Sequence, residues 1–180
     1  MKTVLALSGS NSKNSINKRL VQFVADQLTT VEVKFQDWIN FEVPIYGIDL
    51  EEKRGIPADI RVFKNILDEY EVILLSVNEH NLSVSSFFKN ILDWTSRLDQ
   101  KFLMGKKIFL MSTSESEEGA SEALDYMAKV IPTFGGEVVE SFSLNSFSQN
   151  FDIEKQELTD DIMKLGLMDV VSNFERVIRE

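Results

Sequence analysis

The small polar residues between Gly9 and Asn17 could bind a phosphate group. They read Gly-Ser-Asn-Ser-Lys-Asn-Ser-Ile-Asn and stand between an apolar run, residues 4–7, and a helical pattern, residues 17–28. The first N–H groups of a helix have no partners within the helix, and the helix dipole favours an anion there. The segment has one glycine and no Gly-Lys-Ser/Thr, so it matches neither a dinucleotide fingerprint nor a Walker loop. Its hydroxyls suit a terminal phosphate monoester, and the alternative is a polar turn that only caps the helix.

Apolar runs and helical patterns alternate along the whole chain, which is typical of a parallel sheet covered by helices on both faces. We therefore predict a single α/β domain over residues 1–180. The last helix is predicted to turn Leu165, Met168, Val171 and Phe174 inward, and residues 37–56 to form a long connection. The predicted strands are residues 4–7, 31–35, 72–77, 107–111 and 137–142. The predicted helices are residues 17–28, 57–70, 84–98, 119–134 and 159–178.

Three polar loops follow strands that we expect to be neighbours in this sheet. They cover residues 8–17, 78–86 and 112–119, and all three are rich in Ser, Asn or Glu. In open α/β sheets, ligands bind in the crevice beyond the carboxyl ends of the strands. The coincidence of three such loops at one edge strengthens the prediction of a phosphate-containing ligand.

Composition excludes several classes of function. The formal net charge of −10, from 19 basic and 29 acidic residues, disfavours nucleic-acid binding. The absence of cysteine excludes disulfides and thiol catalysis, and a single histidine excludes a multi-histidine metal site. No apolar run approaches the length of about 20 residues that a membrane span needs, and the N-terminus has no secretory pattern. We expect a cytoplasmic protein without a membrane span.

Two further segments carry a family resemblance. Residues 78–83 read Asn-Glu-His-Asn-Leu-Ser, residues 88–94 read Phe-Lys-Asn-Ile-Leu-Asp-Trp, and residues 44–50 read Pro-Ile-Tyr-Gly-Ile-Asp-Leu. Together with the first loop, they resemble the NADPH-dependent FMN reductase family. That family pairs a G-S-x-R-x-x-S-x-N loop with a P-E-Y-N loop and an S-x-P-G-x-L-K-N-x-x-D-W helix. The resemblance covers residues 2–142 and implies a flavodoxin-like three-layer sandwich, with a five-stranded parallel sheet in the order 2-1-3-4-5.

The resemblance also implies a function and a site. The function is an FMN-dependent NAD(P)H oxidoreductase, which passes hydride through FMN to a flavin, quinone or azo-type acceptor. The first loop would hold the FMN phosphate, the second would line the flavin ring and the third, residues 113–118, would pass its other side. No catalytic side chain is named, because the cofactor carries the redox chemistry. The implied cofactor-binding residues are Ser10, Ser12, Ser15, Ile16, Asn17, Asn78, Glu79, His80, Asn81 and Ser114.

The chain departs from the family pattern at four places, and two alternatives stay open. Asn78-Glu79-His80 stands where the family has P-E-Y, and Ser85-Ser86 stands where it has P-G. Ser12 stands where the family has its loop arginine, with Lys13 beside it, and the third loop is acidic where the family usually has glycines. One alternative is a flavodoxin-like electron carrier, whose acidic charge would suit basic partners. The other is a flavin-free scaffold that has lost tight FMN binding.

The helix after the second loop predicts self-association. Its apolar residues, Phe87, Phe88, Ile91, Leu92 and Trp94, cover more than one side, so the helix needs two apolar surfaces to contact. By resemblance we expect a homodimer or homotetramer. The alternative is burial of both sides within one chain.

Overall fold

The computed structural model describes residues 2–38 and 40–179. Its strands are β1 (Thr3–Ser8), β2 (Glu32–Gln36), β3 (Val72–Val77), β4 (Glu79–His80), β5 (Ser83–Val84), β6 (Lys107–Thr113), β7 (Glu137–Leu144), β8 (Phe151–Asp152) and β9 (Glu157–Leu158). Its helices are α1 (Ile16–Gln27), α2 (Ile48–Arg54), α3 (Ala58–Asp68), α4 (Ser86–Leu98), α5 (Ser121–Val130), α6 (Phe147–Asn150) and α7 (Asp161–Arg179).

The main sheet is parallel, with its five strands in the order β2-β1-β3-β6-β7. The short strands β4 and β5 form a separate antiparallel hairpin, as do β8 and β9. Counting main-sheet strands alone, this is the predicted order 2-1-3-4-5, and the predicted fold is confirmed. The central strand β3 is buried along its length, as its continuous apolar run predicts.

Each central strand contributes to two hydrophobic layers, because successive side chains point to opposite faces of the sheet. On one face, Leu5, Ile73 and Leu110 pack with α3, α4 and α5. On the other face, Val4 and Leu74 pack with α1 and α7. The helices on both faces leave the carboxyl edge of the strands to the connecting loops.

The prediction for the inner face of α7 is correct for two of its four residues and wrong for the other two. Val171 and Phe174 are buried as expected, but Leu165 and Met168 are 68% and 40% exposed. Residues spaced by three drift around a helix of 3.6 residues per turn, so such a run leaves one face for another. The buried stripe follows spacings of four, three and four instead, and consists of Leu167, Val171, Phe174 and Ile178.

Other predicted boundaries need correction. The long connection after β2 contains α2, which has no fully buried residue and therefore carries no apolar stripe. The helix predicted from residue 84 begins at Ser86, because the β4–β5 hairpin precedes it. The helix predicted to end at residue 134 is α5 followed by a 3₁₀ turn, Ile131–Phe134, since Pro132 cannot donate to the preceding turn.

The apolar residues of α4 are mostly buried within the chain. Phe88, Ile91, Leu92 and Trp94 are each no more than 4% exposed, and Phe87 is half-buried. Burial inside one chain therefore accounts for most of the pattern that predicted self-association. Of the helices in residues 2–38 and 40–179, none combines the length and the apolar character needed to cross a membrane.

Lysines close the amino edge of the sheet. Lys2 Nζ donates to the carbonyl of Ile178 at 2.6 Å, at the end of α7. Lys106 Nζ donates to the carbonyl of Tyr70 at 2.6 Å, just after α3. A lysine suits the position beside Ile178, because the last carbonyls of a helix lack partners and carry a partial negative charge. This edge of the sheet is therefore covered by charge-assisted hydrogen bonds.

Candidate functional site

Two neighbouring clefts lie at the carboxyl edge of the sheet. The first cleft, of about 270 Å³, contains nine of the ten predicted cofactor-binding residues. The second cleft, of about 500 Å³, contains the tenth, Asn81, and shares Ser10, Asn78 and His80 with the first. The lining of the first cleft is Ser10, Ser12, Asn14, Ser15, Ile16, Asn17, Asn78, Glu79, His80, Thr113, Ser114 and Glu115. The structure thus brings the three predicted loops together.

Serine hydroxyls hold the backbone of the first loop. Each hydroxyl oxygen accepts from the backbone N–H two residues later in the chain. Ser8 Oγ accepts from the N–H of Ser10 at 3.3 Å, and Ser10 Oγ accepts from the N–H of Ser12 at 3.2 Å. Ser12 Oγ accepts from the N–H of Asn14 at 3.3 Å. We call this series the serine ladder. A hydroxyl that accepts in this way keeps its own hydrogen to donate. Ser10 and Ser12 line the first cleft, so the ladder presents two hydroxyl donors to it.

Helix α1 begins directly after the ladder. Ser15 is its N-cap and accepts from the N–H of Lys18 at 3.1 Å. The N–H groups of Ile16 and Asn17, in the first turn, have no acceptor within the helix. Both residues line the first cleft, and this turn carries no acidic residue. Serine hydroxyls, free N–H groups and the positive end of the helix dipole are together suited to an anion.

The side chain of Asn17 is engaged inside the protein. Its Nδ2 donates to the carbonyl of Thr113 at 3.0 Å. Its Oδ1 accepts from Ser76 Oγ at 2.7 Å and from the N–H of Thr113 at 3.1 Å. Asn17 is 2% exposed and Ser15 is 7% exposed, so burial alone does not set Asn17 apart. The difference is that the Asn17 side chain bonds to residues of β3 and β6. Its backbone N–H remains at the first turn of α1.

The second loop forms the β4–β5 hairpin. Asn81 and Leu82 make its turn with φ of 52° and 63°, and His80 pairs with Ser83 across the hairpin. Glu79 Oε2 accepts from the N–H of Ala123 at 3.1 Å, at the start of α5. The carboxylate thus caps α5, whose N-cap residue makes no side-chain hydrogen bond. His80 is exposed and lies beside both clefts.

Asn78, which follows β3 directly, carries an unsatisfied acceptor. Its Oδ1 is buried and has no hydrogen-bond partner among the described residues. A buried carbonyl left without a donor costs about 1–3 kcal/mol. Since Asn78 lines both clefts, a ligand with an N–H group at its edge would satisfy this oxygen. The polar edge of a flavin ring provides such a group, so the residues present fit FMN.

The third loop is fastened to the segment that follows β7. The N–H of Ser146 donates to the carbonyl of Ser116 at 2.8 Å, and that of Phe147 to the carbonyl of Ser114 at 3.0 Å. The Glu115 carboxylate accepts from Ser148 twice, from its N–H at 3.0 Å and from its Oγ at 2.8 Å. Glu115 is therefore held at the first cleft rather than free to swing away.

The backbone at the end of this loop is tightly enclosed. Gly119 has a φ of +63°, and its carbonyl accepts from Ser112 Oγ at 2.9 Å and from Ser143 Oγ at 2.8 Å. A Cβ at this position would lie 2.5 Å from Ser143 Oγ. None of the sequence patterns described above predicts that residues 145–156 anchor the third loop. The buried Phe147 and Phe151 are the available signal, because two aromatic residues in a polar stretch indicate packing.

Comparison with known proteins decides the family. The family model described as NADPH-dependent FMN reductase matches residues 2–149. The chain belongs to this family. The predicted fold, the predicted enzyme class and the predicted use of FMN and NAD(P)H are confirmed with it. Helix α7 lies beyond the matched region.

Individual relatives agree with this assignment. The chain is 30% identical over 179 residues to an NADPH:quinone oxidoreductase of Arabidopsis thaliana, covering 96% of this chain and 89% of the relative. It is 26% identical over 149 residues to a quinone reductase of Escherichia coli, covering 77% of this chain and 79% of the relative. Among solved structures, the flavoenzyme NAD(P)H:(acceptor) oxidoreductase FerB of Paracoccus denitrificans has the same fold. That match has a TM-score of 0.75 and 22% identity, and it covers 97% of this chain and 95% of the FerB chain.

Proposed function

We propose that this FMN reductase family member is a quinone reductase, with FMN held in the first cleft. The observation that carries the proposal is the buried, unpartnered Oδ1 of Asn78 at the point where the three loops meet. A quinone is favoured as the acceptor because two relatives matched over most of this chain are named for quinone reduction. Azo compounds and free flavins remain the other acceptors to assay.

The proposed cofactor site divides into two parts. The hydroxyls of Ser10, Ser12 and Ser15 and the backbone N–H groups of Ile16 and Asn17 would hold the phosphate. In place of the family arginine, this arrangement relies on neutral donors and a helix dipole, with Lys13 exposed on the same loop. Along the ring, the residues assigned are Asn78, Glu79, His80 and Asn81 on one side and Ser114 on the other.

FMN, when bound, would supply the hydride-transfer chemistry. The chain's own residues bind and orient it. Asn78 Oδ1 would accept from the polar edge of the ring, which fixes the orientation of that edge within the cleft. Glu79 is committed to the N–H of Ala123 and so holds the hairpin against α5, and no acid–base role is assigned to it.

The second candidate function is a flavodoxin-like electron carrier. The net charge of −10 favours it, because an acidic carrier would dock on basic partners. Steady-state oxidation of NADPH with a quinone as acceptor separates the two functions. A reductase sustains turnover, whereas a carrier stays near the rate seen without protein.

We further propose that the chain forms a homodimer or homotetramer and acts in the cytoplasm. The support for self-association is apolar exposure near α4, since Ile45 is 87% and Leu82 is 73% exposed. The support for a cytoplasmic location is the lack of cysteine. Light scattering coupled to size exclusion would measure the oligomeric state, and fractionation of the source cells would test the location.

The first experiment is a visible absorption spectrum of the purified protein before and after incubation with FMN and desalting. Retained flavin bands, bleached by NADPH and restored by a quinone, are expected. A colourless protein that fails to retain added FMN would instead favour the flavin-free scaffold. Asn78→Leu should lower FMN retention, whereas Asn173→Leu, at an exposed position of α7, should not.

A further inference from the structure

We infer that Asn17 is a positioning residue, whose side chain fixes the three loops of the flavin site relative to one another. In this inference, which rests on the proposed function, only the backbone N–H of Asn17 faces the phosphate. The family motif places this asparagine in the phosphate loop, and its position there suggests a direct ligand. The hydrogen bonds of its amide point to a different role.

The amide joins parts of the chain that are far apart in sequence. Asn17 is 59 residues from Ser76 and 96 residues from Thr113, and it bonds to both. Ser76 is 0% exposed, Thr113 is 1% exposed and Asn17 is 2% exposed. Buried hydrogen bonds of this kind are costly to lose, because each leaves a polar atom without water or a partner. The network therefore has one preferred arrangement.

Each partner of Asn17 lies at the base of a loop. Ser76 is next to the last residue of β3 and two residues before Asn78, and its carbonyl accepts from the N–H of Gly9 at 2.8 Å. Thr113 ends β6, directly before Ser114 of the third loop. Asn17 itself belongs to the first turn of α1, directly after the serine ladder. One amide thus connects the phosphate loop to both loops assigned to the ring.

The chemistry of the amide matches this position. Asparagine offers a donor and an acceptor on one short side chain. The donor meets the carbonyl of Thr113 while the acceptor meets the N–H of the same residue, so both backbone groups of Thr113 are bound at once. An aspartate would place a carboxylate oxygen against that carbonyl. Ser76 adds a second donor to Oδ1 and leaves the oxygen with two partners.

The consequence is that removal of the amide should disturb the ring site as much as the phosphate site. A side chain that only contacts phosphate would affect FMN and leave riboflavin, which lacks the phosphate, unaffected. Removal of a side chain that positions all three loops would weaken the binding of both flavins, because the ring site is disturbed for each. A loss of riboflavin affinity therefore separates the two roles.

The test uses Asn17→Ala and Ser76→Ala in the full chain, with Kd for FMN and for riboflavin measured by quenching of flavin fluorescence. Ser76 lines neither cleft, so it reports on the network alone. We expect each variant to lose about tenfold in affinity for both flavins. At saturating FMN, the absorption bands of the bound ring should also shift. A loss confined to FMN, with an unchanged ring spectrum, would overturn the inference.

The matched control is Thr95→Val, which removes another buried hydroxyl donor. Thr95 Oγ1 donates to the carbonyl of Ile91 at 2.6 Å within α4 and has no contact with the network. This variant should bind both flavins as the wild type does. If Asn17→Ala does not fold, Ser76→Ala carries the test, because Asn17 Oδ1 keeps its bond from Thr113.

A measurement without flavin distinguishes failure of this inference from failure of the proposed function. In the wild type, the amide hydrogen of Thr113 is bonded to Asn17 Oδ1 and should exchange slowly with solvent. In Asn17→Ala it should exchange at least about tenfold faster. If the wild type binds no flavin but this difference is seen, the network stands and the cofactor assignment fails. Equal exchange rates of the Thr113 amide in the wild type and in Asn17→Ala would show that Asn17 does not hold this amide, and would contradict the network.

Discussion

The two edges of the sheet are built from opposite kinds of group. At the amino edge, lysines donate to carbonyls, as Lys2 does to Ile178 and Lys107 Nζ does to Val177 at 2.7 Å. At the carboxyl edge, serine hydroxyls and an asparagine amide hold loop backbones, and no lysine or arginine of the described chain lines the first cleft. The same strands therefore end in an edge closed by lysine side chains on one side, and in an open edge whose loops are held by hydroxyls and an amide on the other.

This difference shows how an acidic protein can be suited to an anionic ligand. The carboxyl edge uses hydroxyls, backbone N–H groups and a helix dipole, which need no counter-charge of their own. The amino edge uses its cations for helix C-termini, where partial negative charge is fixed. Charged lysines thus make structural hydrogen bonds at the amino edge, while neutral donors remain available for ligand binding at the carboxyl edge.

The largest expected effect comes from placing a negative charge in the first cleft. Ser15→Asp keeps a good N-cap, so the stability of the free protein should change little. Two unit charges 4 Å apart near a protein surface interact by about 4 kcal/mol, which corresponds to about a thousandfold in Kd. We therefore expect FMN affinity to fall by up to about a thousandfold and riboflavin affinity to be retained, both measured by fluorescence titration. Equal losses for both flavins would mean that Ser15 does not face the phosphate.

A smaller effect is expected from the close packing of the third loop. Gly119 and Gly105 both have positive φ, but a Cβ would meet atoms at 2.5–3.1 Å at Gly119 and nothing within 4 Å at Gly105. Gly119→Ala should therefore cost about 1–3 kcal/mol more than Gly105→Ala, the overpacking penalty added to the same conformational strain. Urea denaturation of the two variants measures this difference. Equal costs would show that the carboxyl edge can relax as freely as the turn near the amino edge.

Neutralising the carboxylate held at the first cleft should have a modest effect. Glu115→Gln can still accept from Ser148, and it removes a charge from the cleft. An exposed pair of charges is worth about 0.2–1 kcal/mol, so FMN should bind up to about fivefold more tightly. The gain should disappear in about 1 M salt, where screening is nearly complete. Glu137→Gln, at the opposite edge of the sheet, is the control and should leave FMN affinity unchanged.

The smallest effect concerns the pH dependence of stability. Burial lowers the pKa of Lys106 below 10.5, its ordinary value. Between the lowered pKa and 10.5, the unfolded chain holds a proton that the folded chain has lost, so the free energy of unfolding rises with pH. Lys106→Met should lack this rise. Denaturation at a series of alkaline pH values compares the two proteins, with Lys101→Met, at an exposed position, as the control. If the free energy of unfolding rises equally in the wild type, Lys106→Met and Lys101→Met, the rise comes from groups other than Lys106.

Much of the fold follows from hydrophobic periodicity. The strands stand out because apolar runs such as residues 72–77 have no helical spacing, and the first helix because Ser15 precedes a clear stripe. Helix α2 does not stand out, since it has no fully buried residue and packs against the core through the half-buried Leu50, which makes no stripe. The β4–β5 hairpin has no clear sequence signal, because its turn uses Leu82 at positive φ, where asparagine or glycine is the usual residue.

The candidate site was predictable as a set of loops and not as a set of contacts. A polar residue at the start of a helix can face a ligand or the interior, and the sequence around Asn17 is the same in both cases. Its partner Thr113 is 96 residues away, so the interior position depends on strand order and register. The same holds for Glu115, whose partner Ser148 belongs to a segment without clear periodicity.

The serine ladder also has a kinetic consequence. A loop whose backbone is already held by Ser8, Ser10 and Ser12 has little conformational freedom left to lose when a ligand arrives. Association with FMN should then proceed in a single phase, with an observed rate that rises linearly with ligand concentration and no slower loop-ordering step. The site would exchange its cofactor at a speed set by encounter and release alone.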